Sequence, residues 1–133
     1  MQQTADAVVI GGGILGASTA HFLAKKGFGQ VVLLEQRTLA AVSTGHSAAA
    51  IRTFYSNPVT VQLARRAVEM FSHGEAELGG DCDFRQIGYL ALLDESGIEA
   101  GKGVVELQRE HGIRIEELTP GDLSDRLPMV NFD

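Results

Sequence analysis

The chain has 133 residues, a formal net charge of −6 and 44% hydrophobic residues. These values are typical of one compact soluble domain and argue against disordered or fibrous sequence. The acidic balance disfavours a nucleic-acid partner, because phosphate backbones are bound by clustered positive charge. The single cysteine, Cys82, excludes an internal disulfide and is consistent with a reducing compartment.

The N-terminal segment is apolar from Ala7 to Leu15 but does not have the pattern of a secretory signal, since residues 1–6 contain no lysine or arginine. No apolar run reaches the roughly 18 residues that a membrane span requires. The histidines at positions 21, 73 and 111 have no partners at metal-ligand spacing. We therefore predict a cytoplasmic protein with no membrane span and no metal site.

The first 35 residues predict a strand, a helix and a second strand. Ala7 to Ile10 and Val31 to Leu34 are short apolar runs rich in β-branched residues, as in strands buried on both faces. Between them, apolar residues recur at helical spacing from Ile14 to Lys26, and Gly27 ends the helix as a C-cap. This βαβ unit predicts two parallel strands joined by a right-handed connection.

The rest of the chain predicts a loop followed by mixed helices and strands. Residues 36–57 are small and polar and predict a loop or a short small-residue helix. The elements that follow, in chain order, are a helix that starts at Asn57-Pro58 and fades near Gly79-Gly80, a strand within Phe84 to Asp94, a helix from Ile98 to His111, a short strand at Ile113 to Ile115, and a helix from Thr119 to Leu127.

A glycine motif lies between the first strand and its helix. In Gly11-x-Gly13-x-x-Gly16, the first glycine allows a tight turn and the second lets the backbone approach a pyrophosphate. The third permits close packing of helix on strand. The pyrophosphate would lie on the free N–H groups at the helix N-terminus, so the motif predicts a dinucleotide site.

Glu35 ends the second strand, about 20 residues beyond the glycines, where a carboxylate can accept hydrogen bonds from the ribose hydroxyls of an adenosine. Its charge would repel a 2′-phosphate, which disfavours NADP. The motif alone leaves NAD and FAD open.

The stretch from Val8 to Arg52, above all the small-residue segment from Ser43 to Arg52, resembles the FAD-dependent D-amino acid oxidase superfamily. Within it the chain is similar to the sarcosine oxidase, sarcosine and dimethylglycine dehydrogenase and glycine oxidase group. Gly88 to Leu90 and Leu118 to Met129 also match, more diffusely. The resemblance implies an α/β fold, with part of a Rossmann-like FAD-binding domain in residues 1–80 and the beginning of an α+β substrate domain in residues 81–133.

The resemblance further implies an enzyme that oxidises the C–N bond of a small amine or amino acid, such as sarcosine, glycine or a D-amino acid, with hydride transfer to FAD. Arg52 would meet a substrate carboxylate, or else form a surface or interdomain salt bridge. His46 would carry FAD covalently, or else be a polar neighbour of the cofactor. The implied FAD-binding residues are Gly11, Gly13, Ile14, Leu15, Gly16, Glu35, Gln36, Ser43, Thr44, Gly45, His46, Ser47, Ala48 and Ala49.

Two other functions remain open: an NAD-binding dehydrogenase domain, and a non-catalytic dinucleotide-binding subunit of a complex. Enzymes of the resembling group are far longer, and two strands are too few to cover their own apolar faces. We therefore expect an incomplete N-terminal fragment that is inactive alone. Such a fragment would self-associate or bind a partner subunit to stay folded.

Overall fold

The computed structural model describes residues 4–131. They form two compact units, of which the first ends at Ala50 and the second begins at Ile51. The domain boundary after residue 80 stays a prediction. Two short stretches lie outside the described residues. They are residues 1–3, which belong to the segment that lacks the pattern of a secretory signal, and residues 132–133, which end the predicted second domain.

The first unit is the predicted βαβ unit. It consists of β1 (Ala7–Ile10), α1 (Ile14–Lys25) and β2 (Val31–Leu34). The strands are parallel, with Ala7 opposite Val31 and Ile10 opposite Leu34. Parallel pairing places the carboxyl ends of both strands at one edge of the sheet, where the glycine motif and Glu35 follow.

The C-terminus of α1 differs by one residue from the prediction. The C-cap is Lys26, and Gly27 lies one position beyond it with φ +70°. The Phe28 N–H donates to the Leu23 carbonyl at 3.1 Å, and the Gly27 N–H donates to the Ala24 carbonyl at 3.0 Å. Gly27 therefore supplies the left-handed residue that closes the helix, rather than the cap itself.

The prediction that both strands are buried on both faces is wrong for the described residues. A Cβ on Gly16 would contact Val9 at 3.6 Å, so α1 covers that face of β1. On the other face Ile10 is 85% exposed, and its register partner Leu34 is 52% exposed. Within the first unit, one helix covers one side of the two-stranded sheet, and no other regular element of that unit lies over the second side.

The described part of the second unit contains the helices α2 (Pro58–Ser72), α3 (Gly74–Leu78), α4 (Glu95–Glu110) and α5 (Pro120–Arg126). The three predicted helices are present, although the first is divided in two and α4 starts three residues early.

Side-chain caps explain where these helices begin. Asn57 Oδ1 accepts the N–H groups of Val59 and Thr60, as the sequence predicts. Asp94 Oδ1 accepts the Gly97 N–H at 2.7 Å, which sets the earlier start of α4. Thr119 forms a capping box at the start of α5.

The two predicted strands of the second unit are absent. Phe84 to Asp94 has no regular structure, and among the described residues only β1 and β2 pair as strands. Ile113 to Ile115 is also irregular; the Arg109 guanidinium donates to the Ile115 carbonyl at 3.4 Å. Both segments have strand-like patterns, but a strand forms only against a partner strand.

The most buried side chains of the second unit are Val61 and Gln108, both fully inaccessible. The Gln108 amide donates to the Tyr55 carbonyl at 2.9 Å and so connects α4 to the segment before α2. Gln108 Oε1 is buried and has no hydrogen-bond partner among the described residues. This single bond therefore fixes the orientation of the amide.

We expect Gln108→Met, which keeps the length of the side chain, to destabilise the second unit by about 1–3 kcal/mol, because the Tyr55 carbonyl loses its donor. Urea unfolding followed by circular dichroism measures this change. The exposed Gln62, whose Nε2 lies 3.2 Å from His111 Nε2, provides the matched control. Because water replaces an exposed hydrogen bond, Gln62→Met should change stability by less than about 0.5 kcal/mol. Equal effects of the two substitutions would contradict the role of Gln108.

Candidate dinucleotide-binding site

The glycine turn after β1 is built as the motif predicts. Gly11 has φ +104°, a conformation that favours glycine, and its N–H continues the sheet by donating to the Leu34 carbonyl at 2.8 Å. A Cβ on Gly16 would collide with the Gly11 carbonyl oxygen. Gly16 therefore permits the close approach of α1 to the turn.

The Glu35 carboxylate is bound to this turn. Its Oε2 accepts the Gly12 N–H at 2.7 Å, and its Oε1 accepts the Arg37 N–H at 2.8 Å. The bond from Gly12, and after it the bond from Arg37, hold the pKa of Glu35 below its ordinary value. The carboxylate stays ionised at neutral pH, and each oxygen keeps a second acceptor position for a ligand hydroxyl.

The N-terminus of α1 is only partly capped. Its N-cap, Gly13, has no side chain, and Thr44 Oγ1 accepts the Ile14 N–H at 3.0 Å. No side chain of the described chain caps the next two amides, those of Leu15 and Gly16. Free amides at a helix N-terminus form an anion site, which matches the predicted pyrophosphate position.

The loop after β2 folds back over the glycine turn. The Ala40 N–H donates to the Gly12 carbonyl at 2.9 Å, and the Gly45 N–H donates to the Ala40 carbonyl at 2.8 Å. A Cβ on Gly45 would collide with the same carbonyl oxygen, so this approach requires glycine. Turn and loop enclose a cleft of about 200 Å³ lined by Gly11, Gly12, Gly13, Glu35, Ala40, Ala41, Val42, Ser43 and Thr44.

The cleft brings together five of the predicted FAD-binding residues, namely Gly11, Gly13, Glu35, Ser43 and Thr44. Ile14, Leu15 and Gly16 form the first turn of α1, and Gln36 lies exposed beyond Glu35. The other predicted residues follow the cleft along the chain and are exposed: Gly45, His46, Ser47, Ala48 and Ala49.

Two of these following residues are fixed by hydrogen bonds. The His46 ring donates from Nδ1 to the Val42 carbonyl at 2.7 Å, which leaves Nε2 as its basic nitrogen. The Ser47 hydroxyl donates to the Thr44 carbonyl at 2.9 Å. Both bonds lie within the series of turns that follows β2.

Sequence reasoning missed Gly12 and the wall formed by Ala40, Ala41 and Val42. Gly12 occupies a variable position of the motif, yet its amide holds Glu35 and a Cβ there would come within 3.0 Å of the Glu35 Cβ. The uninterrupted run of glycines from Gly11 to Gly13 is the sequence signal that could have identified Gly12. Ala40 has φ +61°, which no local pattern predicts.

These features fit the ADP half of a dinucleotide. A charged acceptor pair faces the cleft from Glu35, and α1 presents amide donors beside it. A Cβ on Gly13 would stand 3.1 Å from Thr44 Oγ1 and fill the space through which a ligand reaches the helix. Backbone N–H donors and a fixed carboxylate are sufficient to bind a nucleotide, and binding needs no catalytic group.

Arg52 belongs to the second unit. Its guanidinium carbon lies 5.2 Å from the centre of the Tyr55 ring and 5.8 Å from that of Tyr89. Hydrogen bonding to Tyr55, followed by the electrostatic effect of Tyr89, raises the pKa of Arg52 above its ordinary value. Within residues 4–131 no carboxylate forms a salt bridge with Arg52, so the alternative of a surface ion pair has no partner there.

In the part of the chain that the structure describes, no helix is long and apolar enough to span a membrane. Over the same residues, no cluster of three or more histidine, cysteine, aspartate or glutamate side chains could hold a metal ion.

The chain is similar to proteins named as dehydrogenases and to a protein named as a phosphatase regulatory subunit. It is 32% identical over its whole length to mitochondrial sarcosine dehydrogenase of Mus musculus, and 32% identical over 96% of its length to the mitochondrial pyruvate dehydrogenase phosphatase regulatory subunit of the same species. The crystal structure of L-proline dehydrogenase from P. horikoshii superposes with a TM-score of 0.87 at 32% identity, over 98% of this chain.

The chain spans 15% of the length of each of these two mouse proteins and 34% of the L-proline dehydrogenase chain. Residues 6–133 match the family described as DAO, FAD dependent oxidoreductase. The resemblance drawn from the sequence is thereby confirmed, and the chain belongs to the DAO family of FAD-dependent oxidoreductases.

Proposed function

We propose that this chain supplies the ADP-binding part of a flavoenzyme that oxidises the C–N bond of a small amine or amino acid. One observation carries the proposal: Gly12 holds the Glu35 carboxylate at the cleft, beside the uncapped amides that begin α1. This is the donor and acceptor arrangement that an adenosine diphosphate requires.

Each part of the cleft has a role in this proposal. Glu35 accepts hydrogen bonds from the two ribose hydroxyls. It uses the acceptor positions that the amides of Gly12 and Arg37 leave open. The amides of Leu15 and Gly16 donate to the pyrophosphate. Ser43 and Thr44 contact the pyrophosphate or the ribityl chain from the facing wall.

FAD, when bound, supplies the acceptor for the hydride of the substrate. The chain's own proposed contribution to this chemistry is small side chains and one cation. Ala48 and Ala49 leave room for the flavin ring, and Arg52 binds a substrate carboxylate such as that of sarcosine, glycine or a D-amino acid. We expect the 133-residue chain alone to be inactive, since it spans 15% of the length of the sarcosine dehydrogenase and 34% of the L-proline dehydrogenase chain to which it is similar.

A second candidate function is a non-catalytic dinucleotide-binding subunit. The observation in its favour is the 32% identity to a protein named as a phosphatase regulatory subunit. An NAD-binding dehydrogenase has less support, because the matched family is described as FAD-dependent. The cytoplasmic location stays a prediction, beside relatives whose names place them in mitochondria.

We also propose that a second copy or a partner subunit is needed to keep the chain folded. The exposed side chains of Ile10 and Leu34 on the uncovered face of the sheet support this.

Glu35→Gln tests the nucleotide proposal directly. We expect the variant to bind FAD roughly tenfold or more weakly, because a charged acceptor pair becomes a neutral oxygen and a donor. Isothermal titration calorimetry with FAD measures the affinity, and FMN, which lacks the adenosine, should bind weakly to both forms.

The matched control is Glu106→Ala, an exposed glutamate of α4. It should leave FAD affinity unchanged, and circular dichroism checks that Glu35→Gln is folded. Equal affinity of wild type and Glu35→Gln for FAD would overturn the proposal.

His46 provides a separate test of how FAD is held. If its free Nε2 carries the flavin covalently, yellow colour remains with the polypeptide after acid precipitation, and His46→Ala releases it. Complete release from the wild-type protein would mean that His46 is only a polar neighbour.

Anaerobic addition of amines to the FAD-loaded protein, expressed in its full reading frame, separates the two candidate functions. The flavoenzyme proposal expects loss of flavin absorbance near 450 nm with sarcosine, glycine, L-proline or a D-amino acid. Retained absorbance with every compound, together with tight FAD binding, is the result expected of a regulatory subunit.

A further inference from the structure

The loop over residues 40–49, which we call the strap, closes the nucleotide cleft opposite the glycine turn. It crosses the start of α1, where the Thr44 hydroxyl accepts the Ile14 N–H at 3.0 Å. At the beginning of the strap, the Ala40 N–H donates to the Gly12 carbonyl at 2.9 Å. These two bonds tie the strap to the helix and to the turn, whereas the other hydrogen bonds described for it are local.

The first and last residues of the strap have an unfavourable backbone conformation. Ala40 has φ +61° and Ala49 has φ +51°, in the left-handed region that favours glycine. Residues with a Cβ stay in this region only where the surrounding structure holds them there. The closed conformation of the strap therefore depends on the bonds that anchor it, above all the bond at Thr44, which lies between the two alanines.

The strap is exposed along most of its length. Val42 is 57% exposed, Ser43 and the residues from Gly45 to Ala49 are exposed as well, and Thr44 is half-buried. A segment with few buried apolar contacts and exposed hydrogen bonds opens at a low free-energy cost. Movement of the strap therefore exposes little additional apolar surface.

The closed strap leaves little room in the cleft. The volume of the cleft is about 200 Å³, whereas pockets that enclose small molecules have roughly 300–1,000 Å³. All residues from Ala40 to Thr44 contribute to its lining, so the strap forms one complete wall. A cleft of this size accommodates only part of an adenosine diphosphate, and the whole group enters only after this wall has moved.

We propose that the strap is a gate for entry and release of the nucleotide, and that the hydroxyl of Thr44 holds the gate closed. The strap opens when the bond from the Ile14 N–H to Thr44 breaks, and it closes over the nucleotide when that bond forms again. The inference rests on the proposed function for the identity of the nucleotide. It goes beyond that function because it assigns the rates of exchange to a side-chain cap rather than to the amides that bind the ligand.

The bond at Thr44 is tested by hydrogen exchange of the Ile14 amide, in protein expressed in its full reading frame and freed of flavin. This amide has no partner within α1, so its protection depends on Thr44. Thr44→Val keeps the shape of the side chain but removes the acceptor, and exchange should become roughly threefold faster. Thr44→Ser keeps the hydroxyl and should stay within about twofold of wild type. Equal exchange in wild type and Thr44→Val would refute the role of Thr44.

Gating is tested by stopped-flow measurement of FAD binding to the same protein, followed by the change in flavin fluorescence. Loss of one hydrogen bond should raise the association rate constant of Thr44→Val roughly threefold. Release is measured by displacing bound ADP with excess FAD, and it should accelerate by a similar factor because the strap limits both directions. Thr38→Val makes the same change at an exposed threonine before the strap and should leave both rates unchanged.

Two kinetic results would overturn the gate. If Thr44→Val associates and releases at wild-type rates, the strap does not limit exchange. If Thr44→Val releases the nucleotide faster but associates no faster, Thr44 only contributes a contact to the bound ligand. Faster exchange in both directions is the result that the gate requires.

These results can be distinguished from failure of the proposed function. If FAD affinity depends on Glu35 but Thr44→Val exchanges nucleotide at the wild-type rates, the gate is wrong and the proposed function stands. If FAD does not bind to the wild-type protein, the proposed function fails and the gate fails with it, even where the exchange of the Ile14 amide shows that Thr44 caps α1.

Discussion

The hydrogen bond from the Gly12 amide to the Glu35 carboxylate joins the two halves of the nucleotide cleft. Gly12 lies in the turn after β1, and Glu35 directly follows β2. Parallel pairing brings these two points to the same edge of the sheet, and the bond fixes their separation. Because the same bond lowers the pKa of Glu35, one contact both shapes the cleft and keeps its acceptor charged.

The facing wall depends on a similar long-range contact. Thr44 lies 30 residues beyond Ile14 in sequence, yet its hydroxyl accepts the first amide of α1. It satisfies one of the orphan donors of the helix and leaves those of Leu15 and Gly16 for a ligand. Side chains thus fix the geometry of the cleft, whereas backbone amides are its proposed anion donors. This explains why small residues dominate the lining.

The sequence predicts the first unit well because its signals are local. Apolar runs, helical spacing and the glycine motif determine β1, α1 and β2 without reference to distant residues. Segments whose structure depends on a distant partner are predicted poorly. Phe84 to Asp94 has the composition of a strand, but no described strand pairs with it. The bond from Gln108 to Tyr55 spans 53 residues, and no local pattern indicates that this glutamine is buried.

The same distinction separates the two parts of the proposed chemistry. Every contact of the nucleotide cleft lies within the first unit, between residues that the βαβ pattern already brings together. A carboxylate that is fixed in position and charged at neutral pH would repel a 2′-phosphate and would therefore favour a free ribose. The surroundings of Arg52, the arginine of the proposed substrate side, have no comparable local basis, since one of the two rings that it contacts, that of Tyr89, lies 37 residues away in sequence. The exclusion of a 2′-phosphate can therefore be inferred from a motif, whereas the contacts of Arg52 are defined only by the folded chain.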